Sequence, residues 1–254
     1  MKDLVRIAQL TDMHIGETDE EVHGSPVRTQ FLSALNELKK QNLDALVLSG
    51  DLAANAGEEN SYVWLKEQLK ELTFPVYICL GNHDRLNTLK QIFHLNPNDC
   101  HEDGYYFKAR IKKHLCLFLD TSPYFLSNQQ LEWLKQQDNE NREEMLLFMH
   151  HPPLYCGCTF MDRKYPLKNI SDVWSVIKEL KHINHIFCGH YHTERTLVKE
   201  GKNVFLTPST MAQFDNQTSD ITILHRNPGW RIIEWNGETL HTSVDYFFLF
   251  TSLQ

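Results

Sequence analysis

Short apolar runs alternate with helical patterns along the chain as far as residue 192. The runs with the length and composition of buried strands are residues 4–10, 45–48, 76–80, 145–149 and 183–188. An amphipathic stretch at 58–72 is typical of a helix, and two further helices begin at capping signals, Ser25-Pro26 and Ser127 with Gln130. This alternation predicts an α/β fold with parallel strands.

Beyond residue 192 the pattern changes to one strand after another. These predicted strands are residues 195–199, 203–207, 220–225, 230–235 and 239–248. Alternating units followed by a β-rich end predict two packed sheets with helices outside. We interpret residues 1–254 as a single domain with a β-rich part from about residue 193. The stretch 152–170 is long for a strand-to-helix connection, and we predict that it is an active-site loop.

Polar side chains follow five of the predicted buried strands at the point where each strand ends. They are Asp12 and His14, Asp51, Asn82 with His83 and Asp84, His150 and His151, and His190 with His192. In open α/β sheets, ligands bind at the carboxyl ends of the strands. If these strands are parallel neighbours, all five sets lie at one rim.

This donor set favours a metal site. Imidazole nitrogens together with carboxylate and amide oxygens suit Mn, Fe, Co or Zn. The candidate ligands number seven, which are two Asp, one Asn and four His including His14. Seven ligands are too many for one ion, but they suffice for two ions if one carboxylate is shared. Each motif alone is more typical of a turn, and the interpretation depends on their joint occurrence at strand ends.

Composition narrows the classes of function. The 254 residues have a net charge of −8, which disfavours a dedicated nucleic-acid binder because such proteins neutralise phosphates. No apolar run reaches the roughly 18 residues of a membrane span. The first residues lack an apolar signal core, and the six cysteines are scattered, so we predict a cytoplasmic protein. An anionic substrate would need a local positive charge, for which bound metal is the obvious source.

The strand-end motifs match a known family. Asp12-x-His14, Gly50-Asp51, Gly81-Asn82-His83-Asp84, His150-His151-Pro152 and Gly189-His190-x-His192 resemble the five sequence blocks of the calcineurin-like metallophosphoesterases. Three further segments, beginning at Cys156, Thr207 and Pro228, resemble the bacterial class III 3′,5′-cyclic-AMP phosphodiesterases. The resemblance extends from Ile7 to about Tyr246. It implies a four-layer αββα sandwich in which two mixed sheets are flanked by helices.

The resemblance also implies roles for individual residues. One metal ion would take Asp12, His14 and His192, a second would take Asn82, His150 and His190, and Asp51 would bind both. His83 and Asp84 would be catalytic, with Asp84 fixing the orientation of His83. The substrate contacts would be His14, Asn82, His83 and Asn169.

The implied reaction is hydrolysis of cyclic AMP to 5′-AMP by hydroxide that two divalent or mixed-valence ions activate. Iron and manganese are favoured over zinc and cobalt, and a small cyclic nucleotide is the expected partner. Two alternatives stay open. One is another phosphoesterase of this fold, acting on phosphomonoesters, glycerophosphodiesters or nucleotide diphosphates. The other is a non-catalytic, metal-stabilised binding module. The sequence assigns neither the oligomeric state nor the roles of His151 and Arg163.

Overall fold

Two mixed β-sheets form the centre of the molecule in a computed structural model, which describes residues 3–248. The strands are β1 (Val5–Leu10), β2 (Ala45–Ser49), β3 (Val76–Cys79), β4 (Cys100–His101), β5 (Gly104–Tyr105), β6 (Phe107–Ile111), β7 (His114–Phe118), β8 (Met145–Phe148), β9 (Ile183–Cys188), β10 (Arg195–Lys199), β11 (Lys202–Leu206), β12 (Gln213–Phe214), β13 (Ile223–His225), β14 (Gly229–Trp235) and β15 (Leu240–Tyr246). The helices are α1 (Val27–Lys39), α2 (Glu59–Leu69), α3 (Leu86–Phe93), α4 (Asn128–Glu140), α5 (Thr159–Lys164) and α6 (Ile170–Ile177), with a 3-10 turn at Pro97–Asp99.

Both large sheets combine parallel and antiparallel neighbours. The first sheet has the order β15-β14-β1-β2-β3, in which β1, β2 and β3 are parallel and β14 runs antiparallel to β1. The second has the order β10-β11-β9-β8-β7-β6, with four parallel strands flanked by antiparallel β6 and β10. The mixed sheets confirm the predicted fold class.

Side-chain alternation divides the second sheet into two apolar faces. Phe118, Phe148 and Phe187 belong to the core that contains the first sheet and the α1 side chain Phe31. Their neighbours on the same strands, such as Leu117 and Leu147, pack with α4 and α6 instead. Successive side chains of a strand point to opposite faces of the sheet, so each of these strands contributes to both apolar faces. The layers are therefore helices, first sheet, second sheet and helices, as the αββα expectation states.

A row of phenylalanine rings runs across adjacent strands of the second sheet, on the face that packs against the first sheet. The ring centroids of Phe118 and Phe148 are 5.2 Å apart, those of Phe148 and Phe187 are 5.2 Å apart, and those of Phe187 and Phe205 are 5.0 Å apart. Rings on adjacent strands contact one another at this spacing. All four phenylalanines belong to the core that also contains side chains of the first sheet.

We expect Phe187→Ala to lower the free energy of unfolding by about 3–5 kcal/mol, because Phe187 is fully buried in this row and its loss leaves a cavity. Urea denaturation of the chelator-treated protein measures the change. Val198→Ala is the control, since Val198 is 73% exposed on β10 and its loss should change stability by less than about 0.5 kcal/mol. Equal effects of the two changes would contradict this account of the core.

The predicted helices are present, but their ends differ from the predicted positions. Ser127 caps α4 as predicted, since its Oγ accepts a hydrogen bond from Gln130 N at 3.1 Å. The predicted cap of helix α1 at Ser25 is wrong, because Pro26 is the N-cap, the helix begins at Val27 and no side chain caps it. Ser25 instead pairs with Val22 in an isolated β-bridge. The short helices α3 and α5 were not predicted. Within residues 3–248, no helix is both long and apolar enough to span a bilayer.

Candidate metal centre

The carboxyl ends of five strands bring the seven predicted ligands together. Asp12 and His14 follow β1, Asp51 follows β2 and Asn82 follows β3, all in the first sheet. His150 follows β8, and His190 and His192 follow β9, in the second sheet. The predicted rim is formed by strand ends of two facing sheets rather than by strand ends of one sheet. Six of the seven side chains are no more than 6% exposed, and Asn82 is half-buried.

One group of donor atoms contains Asp12, His14 and His192. His192 Nε2 lies 3.4 Å from Asp12 Oδ1 and 3.1 Å from His14 Nε2. Two imidazole nitrogens and a carboxylate oxygen within this distance form a cluster that could hold a metal ion. This group is the first ligand set that the resemblance implies.

Asp51 connects this group to the second one. Its Oδ2 is 3.3 Å from His150 Nε2 and 3.8 Å from His14 Nε2. Its other oxygen, Oδ1, accepts a hydrogen bond from His83 N at 2.8 Å. The backbone therefore fixes one oxygen of Asp51, and the other lies between imidazoles of the two predicted sets.

Backbone carbonyls fix the ring orientations of three predicted ligands. His150 Nδ1 donates to Ser49 O at 2.8 Å and His192 Nδ1 donates to Ala212 O at 3.1 Å, so Nε2 of each ring faces the site. In His190 the roles of the nitrogens are reversed, because its Nε2 donates to Tyr165 O at 2.9 Å. A ligating histidine commonly donates its other N–H in this way, which sets the tautomer.

The donor set fits a bound cation. Asp12 Oδ1, Asn82 Oδ1 and His150 Nε2 are buried and have no hydrogen-bond partner among the described residues. A buried polar atom without a partner costs about 1–3 kcal/mol. Coordination to a metal ion would remove this cost at all three atoms.

The protonation states of these groups also favour a cation. Burial lowers the pKa of His14 to about 4 and that of His190 to about 3, so both rings are neutral at pH 7. Burial alone would raise the pKa of Asp12, but the nearby His192 and His150 lower it to about 2. Burial alone would lower the pKa of His150, yet the charge of Asp51 raises it to about 9. Metal binding would displace that proton.

Most of the predicted ligands have a left-handed backbone, which is uncommon for residues other than glycine. The φ angles are 53° at Asp12, 45° at His14, 52° at Asp51, 67° at His190 and 49° at His192. Such conformations cost of order 1 kcal/mol each and cluster at functional sites. Three of the five strands, β1, β2 and β9, thus end in strained turns that direct side chains to the site.

Two glycines permit the close approach of these turns. A Cβ at Gly81 would overlap with the carboxylate of Asp51, and a Cβ at Gly189 would overlap with Thr11 Oγ1. Only glycine can occupy these positions without displacing a predicted ligand or its neighbour. This explains why a glycine precedes Asn82 and His190.

Comparison with known proteins identifies the family. The family model of the calcineurin-like phosphoesterases matches residues 5–194. The chain belongs to the calcineurin-like phosphoesterase family. A probable cyclic nucleotide phosphodiesterase of Fibrobacter succinogenes is 39% identical over 246 residues, which are 97% of this chain and 95% of that protein. The 3′,5′-cyclic adenosine monophosphate phosphodiesterase CpdA of Escherichia coli K12 is 30% identical, covering 94% of this chain and 89% of CpdA.

Solved structures support the fold of this family member. A purple acid phosphatase from yellow lupin seeds superposes with a TM-score of 0.71 at 14% identity, covering 96% of this chain and 51% of the other. A dimetal phosphatase from Danio rerio superposes with a TM-score of 0.62 at 13% identity, covering 94% and 98%. At this level of identity the likeness concerns the fold alone.

The family motif Gly81–Asp84 contains two further predicted site residues. His83 lies at the cavity beside His14, with ring centroids 4.9 Å apart, and its buried Nδ1 has no hydrogen-bond partner within residues 3–248. Asp84 does not orient the His83 ring in the described structure, contrary to expectation. Its carboxylate accepts bonds from Gly81 N at 2.9 Å, Leu52 N at 3.1 Å and Tyr62 Oη at 2.9 Å. Asp84 therefore holds the Asp51 and His83 loops together.

Three further residues lie around the predicted ligands and His151. Thr121 and Tyr124 were not predicted, whereas Ser209 lies in the segment beginning at Thr207 that the resemblance singled out. Thr121 Oγ1 accepts from His151 N at 3.0 Å and contacts His151 Nδ1 at 2.9 Å. Ser209 Oγ donates to Asp12 O at 2.9 Å. Tyr124 lines the cavity next to His190, with ring centroids 5.6 Å apart. Asp120-Thr121 follows a buried strand just as Gly50-Asp51 does, so the same pattern would have found Thr121 and nearby Tyr124.

The predicted loop 152–170 contains helix α5 and contributes Met161 and Tyr165 to the cavity. Arg163 donates to Ser219 O, so its guanidinium braces a neighbouring loop. Asn169 lies apart from the cavity lining, and its amide bonds to Leu126 N at 3.2 Å and Leu126 O at 2.9 Å. The predicted contact between Asn169 and substrate therefore stays a prediction.

Thr11 supports a predicted ligand directly, because Thr11 Oγ1 donates to Asp12 Oδ2 at 2.8 Å. We expect Thr11→Val to weaken metal binding by about 10- to 100-fold, since Asp12 Oδ2 would keep the hydrogen bond from His190 N but lose its side-chain donor. Competition with a chelator of known affinity measures the change. Thr11→Ser keeps the hydroxyl and should bind metal as the wild type does. An unchanged affinity of the valine variant would show that this hydrogen bond has no role in metal binding.

Proposed function

We propose that this protein hydrolyses 3′,5′-cyclic AMP to 5′-AMP with the help of two metal ions. The observation that carries the proposal is the position of Asp51 Oδ2, which is 3.3 Å from His150 and 3.8 Å from His14. A ligand shared by two ions must lie between the two ligand sets in this way. Two similar relatives, which are named as cyclic nucleotide phosphodiesterases, support the substrate class.

Asp12, His14 and His192 would hold one ion, and Asn82, His150 and His190 would hold the other. The mixture of nitrogen and oxygen donors suits iron and manganese, and also zinc or cobalt. When bound, such a pair supplies a water-derived nucleophile at neutral pH and positive charge next to the phosphoryl oxygens.

His83 would act on the substrate itself. Its ring borders the cavity and belongs to neither predicted ligand set, although it lies close to the ligating atoms of His14 and Asp51. We assign to its imidazole a hydrogen bond to a phosphoryl oxygen and the transfer of a proton to the leaving 3′-oxygen. A new bond forms between phosphorus and the water-derived oxygen, and the bond from phosphorus to the 3′-oxygen breaks. The product then carries a 3′-hydroxyl and a 5′-phosphate. His14 and Asn82 line the same cavity as His83 and would contact the phosphate there.

The charge of the cavity favours a substrate with a single phosphate. Among the described residues that line it, none is Lys or Arg. A nucleotide diphosphate carries further negative charge that nothing on these walls would neutralise. This observation disfavours the pyrophosphatase alternative more than the phosphodiesterase.

A hydrolysis panel tests the proposal. Protein supplied with Mn²⁺ is incubated separately with cyclic AMP, a UDP-sugar diphosphate and bis-p-nitrophenyl phosphate, and the products are separated by chromatography. We expect cyclic AMP to give 5′-AMP and no 3′-AMP. Turnover of bis-p-nitrophenyl phosphate alone would contradict the proposed substrate. The absence of any metal-dependent turnover would favour the non-catalytic binding module.

A further inference from the structure

The cavity beside the predicted ligands has two unlike sides. Its volume is about 600 Å³, within the range of small-molecule sites. One side contains His83 and five of the predicted ligands, which are His14, Asp51, Asn82, His190 and His192. The other side, which we call the apolar wall, consists of Met161, Tyr165, Phe214, Ile221 and Ile223. A substrate that fills both sides must have a charged part and a neutral, apolar part.

The apolar wall begins at a predicted metal ligand. The ring of Phe214 stacks on that of His192 with centroids 4.3 Å apart and an interplanar angle of 7°. From there the wall extends to the mouth of the cavity, where Ile221 is 54% exposed and Tyr165 is 42% exposed. A ligand with its phosphate at the predicted metal centre would therefore have this wall beside its next group.

Hydrogen bonds hold the loop that carries Ile221 in place. Asn216 Nδ2 donates to Thr193 Oγ1 at 2.9 Å, next to His192 in sequence, and Asn216 O accepts from Thr159 N at 2.8 Å. Arg163 donates to Ser219 O in the same loop. The exposed Ile221 is thus on a loop that hydrogen bonds hold in place. Its contact with a ligand would therefore lose little conformational entropy of the loop.

We propose that the apolar wall binds the base of the cyclic nucleotide, an inference that rests on the proposed function. A nucleobase is neutral and flat, and it gains affinity from burial against apolar and aromatic side chains. None of the five wall residues is charged or carries an amide, and the hydroxyl of Tyr165 is the one group on the wall able to hydrogen-bond the edge of the base. Recognition therefore depends on contact area, and Ile221 is a specificity-determining residue for substrates that carry a base.

The test uses substitutions on one hairpin. Ile221→Asn puts a polar group on the wall, Ile221→Leu keeps it apolar, and Leu224→Asn changes a side chain that is 60% exposed and outside the cavity lining. For cyclic AMP we expect Ile221→Asn to raise KM about tenfold with kcat nearly unchanged. Ile221→Leu and Leu224→Asn should keep the wild-type KM. For the base-free sugar 3′,5′-cyclic phosphate, we expect the wild type and the three variants to have the same KM. This KM should be higher than the KM of the wild type for cyclic AMP.

Two results would overturn the inference while leaving the proposed function standing. One is wild-type hydrolysis of cyclic AMP and of the base-free cyclic phosphate with the same KM. The other is a KM for cyclic AMP that Ile221→Asn leaves unchanged or that Leu224→Asn raises equally. If the wild type hydrolyses no cyclic nucleotide at all, the proposed function fails, and the assignment of the wall fails with it.

Discussion

The substitution Asp51→Asn is expected to lower cyclic AMP turnover at least about 1,000-fold, because neither predicted ion would keep its shared ligand and the water-derived nucleophile would be lost. Asp51 Oδ2 lies near imidazoles of both sets, and an amide in its place removes the negative charge. Metal content should fall in the same sample. Steady-state rates and elemental analysis of the purified variant measure the two effects.

A buried carboxylate elsewhere provides the control for Asp51. Asp120 is 3% exposed and accepts hydrogen bonds from Tyr105 N at 3.0 Å and Ser122 N at 2.9 Å. Asp120→Asn should retain its metal and most of its activity. If Asp51→Asn kept both, Asp51 would not be the shared ligand.

Replacement of His83 by alanine should separate catalysis from metal binding. We expect kcat to fall by about 100- to 10,000-fold, the usual contribution of a general acid, while the metal content stays that of the wild type. His83 borders the cavity but belongs to neither predicted ligand set. Turnover of cyclic AMP and elemental analysis on one preparation give both values.

The matched control for His83 is His241→Ala, an exposed histidine on β15 that should leave kcat unchanged. A His83→Ala variant with full activity would remove His83 from the reaction. If the variant lost its metal together with its activity, His83 would instead be a ligand.

The sequence could predict the parts of this molecule that depend on local pattern. Buried strands have a recognisable length and composition, and Asp51 or His150 directly follows such a strand. The Ser127 cap was predictable because a capping residue and its partner lie three positions apart. The family motifs then imply roles for residues that no local pattern assigns, and these roles stay predictions.

Contacts between distant parts of the chain were beyond such patterns. Ser209 bonds to Asp12 across 197 positions, and Asn169 bonds to Leu126 across 43 positions. Asp84 lies one position after His83, yet its carboxylate bonds to Leu52 N and Tyr62 Oη instead. Helix α5 has only six residues, too few for an apolar periodicity to stand out.

Stepwise restoration of metal to chelator-stripped protein tests the central claim most directly. Activity against cyclic AMP is measured as Mn²⁺ is added in known amounts per chain, with bound metal determined at each step. The account predicts negligible activity without metal and a plateau when two ions are bound per chain. Full activity in metal-free protein, or a plateau at one bound ion, would contradict it.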